Sequence, residues 1–282
     1  MRKRAYVALV TLLIVLVAVD AGCSPRGNPW TVVTVREPRP GDVPFEDASK
    51  YLRRSEDANN VPGPDSLVAH VRTDEKHHAY IEVENLRTGK SIRLQSGNSC
   101  LPQWSPDGKY IACVVWKSWR LPHELAVANV GSGSTVVDLK ARASVTTIKW
   151  SPDGNTIAAE GTIHLRPHQM LYAVSFPEGK VTVLDTVDVL ANYGFSWSPD
   201  GRWIVFSRPT KLDDSGEVIV AADLWIANAQ TGRAWSLLET PEWLESNPLW
   251  ITNRTIQIDR AHWDGKEVGA DERVVIELSK GK

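Results

Sequence analysis

Trp104-Ser105-Pro106-Asp107-Gly108-Lys109-Tyr110-Ile111-Ala112 recurs without a gap as Trp150-Ser151-Pro152-Asp153-Gly154-Asn155-Thr156-Ile157-Ala158 and as Trp197-Ser198-Pro199-Asp200-Gly201-Arg202-Trp203-Ile204-Val205. The tryptophans are 46 and 47 residues apart, and a degenerate fourth copy starts 53 residues further on at Trp250. There Ile251-Thr252-Asn253-Arg254 replaces the turn, and Ile256 and Ile258 restore the strand. Each Ser-Pro-Asp-Gly reads as a tight connection between antiparallel strands. Pro sets φ at the second turn position, Asp bonds nearby backbone, and Gly takes the positive φ that a type I turn with a bulge demands. The β-branched runs that follow, such as 110–115 and 203–206, have strand length.

A second turn signature recurs in phase. Asn85-Leu86-Arg87-Thr88-Gly89-Lys90 matches Asn228-Ala229-Gln230-Thr231-Gly232-Arg233, with looser versions at 129–134 and 176–180. Each lies between two short apolar runs, so the repeating unit holds four strands. Four antiparallel strands at this period are the signature of propeller blades, each burying its faces against its neighbours.

The Trp-Ser-Pro-Asp-Gly turn followed by a small-apolar strand resembles the TolB-like (WD-like) propeller repeat, over residues 66–279. The resemblance implies an all-β fold of four-stranded antiparallel blades; it carries little about function, because related propellers serve unrelated tasks. Counting units gives five blades, with a six-bladed or incomplete ring as the alternatives. The opening unit, 66–95, lacks its Trp strand, and the last, 247–279, ends one strand short. The period-2 segment Thr31-Val32-Val33-Thr34-Val35-Arg36 is the candidate for that missing outer strand. Residues 37–65 carry Pro38, Pro40, Pro44, Pro62 and Pro64 and read as linker, with a short helix over 45–57.

The first 22 residues read as a signal peptide. Arg2, Lys3 and Arg4 precede the uncharged run 5–19, which is shorter than a spanning helix needs. Ala21-Gly22-Cys23 resembles the end of a bacterial lipobox, which implies lipidation at Cys23. Asp20 departs from that pattern, and cleavage after Ala21 is the competing reading. Residues 23–65 then form a lipid-anchor linker, and the domain lies on the outer face of the membrane or in the periplasm. Removing three basic residues and one acidic one leaves 29 Lys+Arg against 33 Asp+Glu. A mildly acidic chain gives no electrostatic basis for nucleic-acid binding.

If Ser105 to Gly108 form the first loop, Trp104 faces Lys109 and, stepping outward, Cys100 faces Cys113. That separation suits a disulfide in an oxidising compartment. Two small buried thiols with the register slipped by one is the other reading. Asp107 and Gly108, Asp153 and Gly154, and Asp200 and Gly201 read as structural turn residues.

Function is expected in the loops joining the second and third strands, which share one face of a propeller. They hold His77, His78, His123, His164, His168 and His262, beside Trp116, Trp119, Arg120, Arg166, Arg208, Lys211, Arg260 and Trp263. Trp and Arg are the types that binding surfaces enrich. His164-x-x-x-His168 contains Pro167 and offers no helical ligand face, so no metal and no cofactor is expected. Neither a Gly-x-Ser-x-Gly elbow nor a phosphate-binding Gly loop occurs, and no catalytic residue is assigned. The expectation is a protein-interaction or envelope-binding module acting through one loop face, with an envelope protein or a glycan as partner. A carbohydrate- or small-ligand-binding propeller is the alternative.

Overall fold

A computed structural model describes residues 28–45, 60–94, 98–116, 124–139, 143–163, 169–187, 194–216 and 218–280. The signal segment, Cys23 and nearly all of the helix expected at 45–57 lie outside the described residues.

Among the described residues twenty strands form three four-stranded antiparallel sheets and one eight-stranded sheet, in which a single parallel bridge from Ala222 to Leu244 links two further four-stranded antiparallel units, so that the blades number five. Blade I contains β2 (Asn60–Pro62), β3 (Leu67–Thr73), β4 (Ala79–Asn85) and β5 (Lys90–Arg93). Blade II contains β6 (Asn98–Trp104), β7 (Tyr110–Trp116), β8 (Glu124–Asn129) and β9 (Thr135–Leu139). Blade III contains β10 (Ala143–Trp150), β11 (Thr156–Ile163), β12 (Gln169–Ser175) and β13 (Val181–Val187). Blade IV contains β14 (Phe195–Trp197), β15 (Trp203–Leu212), β16 (Ile219–Asn228) and β17 (Ala234–Leu238). Blade V takes β18 (Trp243–Thr252), β19 (Thr255–His262) and β20 (Glu272–Lys280) from the end of the chain. Its fourth strand is β1 (Trp30–Arg36), antiparallel to β20, with Trp30 opposite Lys280 and Arg36 opposite Val275.

Two expectations need correction. The stretch 37–65 is not all linker, because Asn60–Pro62 is the inner strand of blade I and pairs with β3. Nor do Cys100 and Cys113 face each other: Cys100 is opposite Val114. Ser105 N donates to Tyr110 O, so the loop starts one residue later than expected and Trp104 pairs with Ile111. A bulge then falls between Cys100 and Gln103, at Leu101 with φ 53°, and takes back one place. The Cys100 side chain lies outside the described residues.

The middle strands are apolar on both faces because both faces are buried. On β7, Ile111, Cys113 and Val115 pack toward Ala69, Ile81 and Val83 of blade I. Ala112 and Val114 point the other way, toward Val145, Ile148 and Tyr172 of blade III. Ala158, Leu171 and Ala173 meet Ile204, Phe206 and Ala227 between blades III and IV. Val205, Leu224 and Ile226 meet Ile256, Ile258 and Ile276 between IV and V, where Trp30 of β1 is also buried.

The end blades differ on their other faces, which carry charge ladders. Blade I has His70 with Asn60 and Glu84, and Arg72 with Glu82. Blade V has Arg273 with Asp259, and Arg36 between Glu277 and Asp42. Among the described residues no apolar cluster joins blade V to blade I.

The three Ser-Pro-Asp-Gly turns are built alike. Ser105 Oγ donates to Asp107 Oδ1 at 2.7 Å and accepts from Tyr110 N, while Asp107 Oδ1 also accepts from Lys109 N. Ser151 with Asp153, and Ser198 with Asp200, repeat the pattern. Partial burial pushes the Asp107 and Asp153 carboxyls up, but these hydrogen bonds outweigh it and hold both below the usual carboxylate range. The turns also stack on one another. A Cβ on Gly108 would stand 2.0 Å from Pro64 of blade I, and Gly201 sits against Asp153.

The repeated tryptophans stitch neighbouring blades. Trp104 Nε1 donates to Val61 O at 3.1 Å, Trp150 Nε1 to Gln103 O at 3.0 Å, and Trp197 Nε1 to Lys149 O at 3.1 Å. Each acceptor immediately precedes the position equivalent to Trp in the preceding blade, which in blade I is Pro62.

Candidate functional site

The loops joining second and third strands rise from the end of each blade opposite the Ser-Pro-Asp-Gly turns. Trp119, Arg120, His123, His164, Arg166 and His168 lie outside the described residues, as does the side chain of Trp116, whose backbone ends β7 opposite Asn98. Arg208, His262 and Trp263 are described: Arg208 stands within β15 and not in a loop as expected, His262 ends β19, and Trp263, at the start of the loop that follows, meets Lys211 of β15 across the two blades.

Arg208 stands on β15 opposite Asp223 of β16. Its Nε donates to Asp185 Oδ2 of blade III at 3.0 Å, and its guanidinium lies 4.8 Å from the Trp225 ring centre. One blade on, Arg260 repeats the arrangement: it pairs with Glu272 at 2.6 Å and lies 4.5 Å over Trp243. His262 meets Trp243 edge-on at 5.1 Å, with its Nε2 3.5 Å from Glu242 Oε2. The Lys211 ammonium stands 5.9 Å from the Trp263 ring, and a bridge to Val268 fixes Trp263. Three cations thus sit over three indoles, each contact worth about 0.5–2 kcal/mol according to its exposure.

Beneath them lies a group that sequence reasoning missed. Glu245, opposite Arg260 on β18, is fully buried at 0% exposure, and its Oε2 has no hydrogen-bond partner. Thr240 joins it to Asp223: the Thr240 hydroxyl donates to Glu245 Oε1 at 3.0 Å and Thr240 N donates to Asp223 Oδ1 at 3.1 Å. Burial, reinforced by the charges of Asp223 and Glu272, lifts the Glu245 carboxyl above its ordinary range against the pull of Thr240 and Arg260. Asp223 is lifted too, by burial first and by Glu239 next. Two carboxyls that resist ionisation beside two guanidiniums offer both hydrogen-bond donors and acceptors. Glu245 escaped notice because it lies just before the expected start of the last blade at 247, where a glutamate reads as a solvated loop residue. Among the described residues no cluster of three His, Cys, Asp or Glu side chains could hold a metal ion.

No family model and no curated protein matches the sequence. Solved structures do resemble it. The tricorn protease aligns with a TM-score of 0.54 and 14% identity over 73% of this chain, which spans 23% of that protein. The β-propeller domain of the Trilobed protease from Pyrococcus furiosus, described as having an open velcro topology, aligns with a TM-score of 0.51 and 18% identity, covering 77% of this chain and 71% of that one. A TolB structure from Agrobacterium tumefaciens aligns at 0.45 and 13%, covering 80% and 90%. At such identities the likeness concerns the fold alone: the chain is an all-β propeller.

Proposed function

We propose that the chain is an exported, membrane-tethered binding module that holds an envelope protein on the loop-bearing end of blades IV and V. The observation that carries this reading is the recurrence of cation over indole on two adjacent blades: Arg208 on Trp225, Arg260 on Trp243 and, between the blades, Lys211 on Trp263. Indole and guanidinium groups are the side chains that dominate binding energy at protein interfaces. Trp116, Trp119, Arg120 and His123 belong to the equivalent loop of blade II and extend the proposed face. Export and lipidation at Cys23 rest on the amino-terminal sequence. The test is cross-linking capture from envelope extracts with the full chain and with the double variant Arg260→Ala and Lys211→Ala, which spares the apolar core. Recovery of a partner that falls at least fivefold in the double variant, with unchanged thermal unfolding, supports the reading; equal recovery refutes it.

Glu245 favours a second reading, a small polar ligand such as a neutral sugar that donates to the unpartnered Oε2, an atom closed to solvent here that binding would have to expose. A thermal-shift panel of sugars against wild type and Glu245→Gln decides it. Stabilisation by a panel member that the variant loses is the expected signature, and a flat panel removes the idea.

A further inference from the structure

We propose that the turn-bearing end of blades IV and V, opposite the loop face, rests on an anionic lipid surface, with Arg202, Arg233, Arg254 and Lys280 as its contacts. The proposal rests on the lipidated Cys23 of the preceding section and adds the orientation of the domain. Its first support is the shortness of the tether. The sequence suggests a long spacer after Cys23, but the chain is already docked at Asn28, whose side chain donates to Ser236 O and accepts from Trp30 N. Trp30 follows, 3% exposed, 5.6 Å from Trp203 and 6.5 Å from Trp250. Only Ser24, Pro25, Arg26 and Gly27 separate Cys23 from Asn28. Fully stretched, those five steps span about 18 Å, so acyl chains on Cys23 would hold this end of the propeller at the headgroups.

The second support is charge. Arg202 lies in the β14–β15 turn, and its carbonyl accepts from Ala229 N at the β16–β17 turn that carries Arg233. The Arg254 carbonyl, in the β18–β19 turn, accepts from Leu278 N, two residues before Lys280. Lys280 pairs with Trp30 and places its ammonium 5.7 Å from that ring. The two blades' turns touch through Asp200 N and Asn253 Oδ1 at 3.0 Å. All four basic side chains are exposed, and among the described residues none is in an ion pair. Of the acids beside them, Asp200 has Oδ1 committed to Ser198 and Arg202 N within its own turn, and Asp153, against Gly201, is bound to Ser151 and Asn155 within its own. The equivalent end of blade II is balanced instead, with Lys109 on Asp107. Half-buried Trp203 and Trp235, 6.1 Å apart, lie in the same region and suit the amphipathic headgroup layer. An anionic leaflet attracts such unpaired cations within a Debye length, about 8 Å at physiological salt.

The experiment uses the full chain reconstituted in vesicles of phosphatidylcholine and phosphatidylglycerol containing a headgroup nitroxide lipid. A fluorescent amino acid replaces either exposed Gln230 on the turn face or exposed Lys76 on the loop face of blade I. Quenching at 230 at least threefold stronger than at 76 is expected. The quadruple variant Arg202→Glu, Arg233→Glu, Arg254→Glu and Lys280→Glu should abolish that difference while the chain still floats with the vesicles. Equal quenching at both sites in the floating wild type overturns the orientation and leaves the anchor standing. If wild type and Cys23→Ala both fail to float, the anchor is what fails. Sedimentation of that unanchored chain with phosphatidylglycerol vesicles at low salt then judges the basic face alone: binding lost on charge reversal supports it, and no binding overturns it.

Discussion

The indole Nε1 of Trp150 donates to the backbone carbonyl of Gln103, 3.0 Å away in the preceding blade. Trp250, the fourth in the series, is fully buried but leaves its Nε1 without a partner. The two positions therefore separate the hydrogen bond from the burial. Trp150→Phe and Trp250→Phe both remove indole volume, but only the first orphans a carbonyl. Urea unfolding should show Trp150→Phe the more damaging by about 1–3 kcal/mol. Equal losses would mean that the stitch between blades contributes nothing.

Gly108 and Gly154 share a positive φ, 70° and 72°, and differ in what lies above them. A Cβ at 154 finds Pro106 at an ordinary 3.6 Å, whereas at 108 it would overlap Pro64 at 2.0 Å. Gly154→Ala should cost about 1–2 kcal/mol from backbone strain alone. Gly108→Ala should cost about 1–3 kcal/mol more, since Pro64 or the turn must move. Thermal unfolding of the pair reads the difference.

Glu245 binds its proton more tightly in the fold than in the unfolded chain. The folded state therefore holds more protons than the unfolded state above the ordinary glutamate range, and stability falls as pH rises through that window. Glu245→Gln removes the titration. We expect the variant to be more stable than wild type at pH 7 by about 1–2 kcal/mol, with the advantage vanishing near pH 4. A variant less stable at pH 7 would show that the carboxylate is satisfied in solution.

Asp42 behaves in the opposite sense. The Arg36 guanidinium at 2.6 Å, helped by the Arg39 backbone N–H, holds its carboxyl down at about 2. Its contribution is present in full above the ordinary aspartate range and is lost as pH falls toward 2. Because Arg36 ends β1, acidification should loosen that strand first. Hydrogen exchange of the β1 amides at pH 3 should exceed that at pH 6 after correction for intrinsic rates, and Asp42→Asn should show the faster exchange already at pH 6.

The blades were legible because their connections are written in residues with few alternatives: Pro, Asp and Gly at fixed offsets leave one turn. The outer strand at Thr31 to Arg36 was legible through its alternation, and its pairing with β20 followed from a blade that ran out of chain. Asn60–Pro62 was hidden because three residues containing a proline carry no period, and only the Trp104 indole on Val61 O marks the strand as the inner edge of a blade. The stitching by tryptophan was equally hidden, since the acceptor belongs to another repeat 43 to 48 residues away. At the site, Arg208, His262 and Trp263 stood out by type and position. Glu245 did not, because what distinguishes it is burial between two blades, a property of packing that no local pattern reports.

The joining of β1 to β20 has a consequence for how the molecule comes into being. The residues of β1 find their partner some 240 positions later in the sequence. Blades I to IV can condense in order as their strands are made, but the fifth must wait for β20. The late step of maturation is then the capture of the leading strand by the trailing one, and a chain interrupted before residue 272 would leave Trp30 with no sheet to enter.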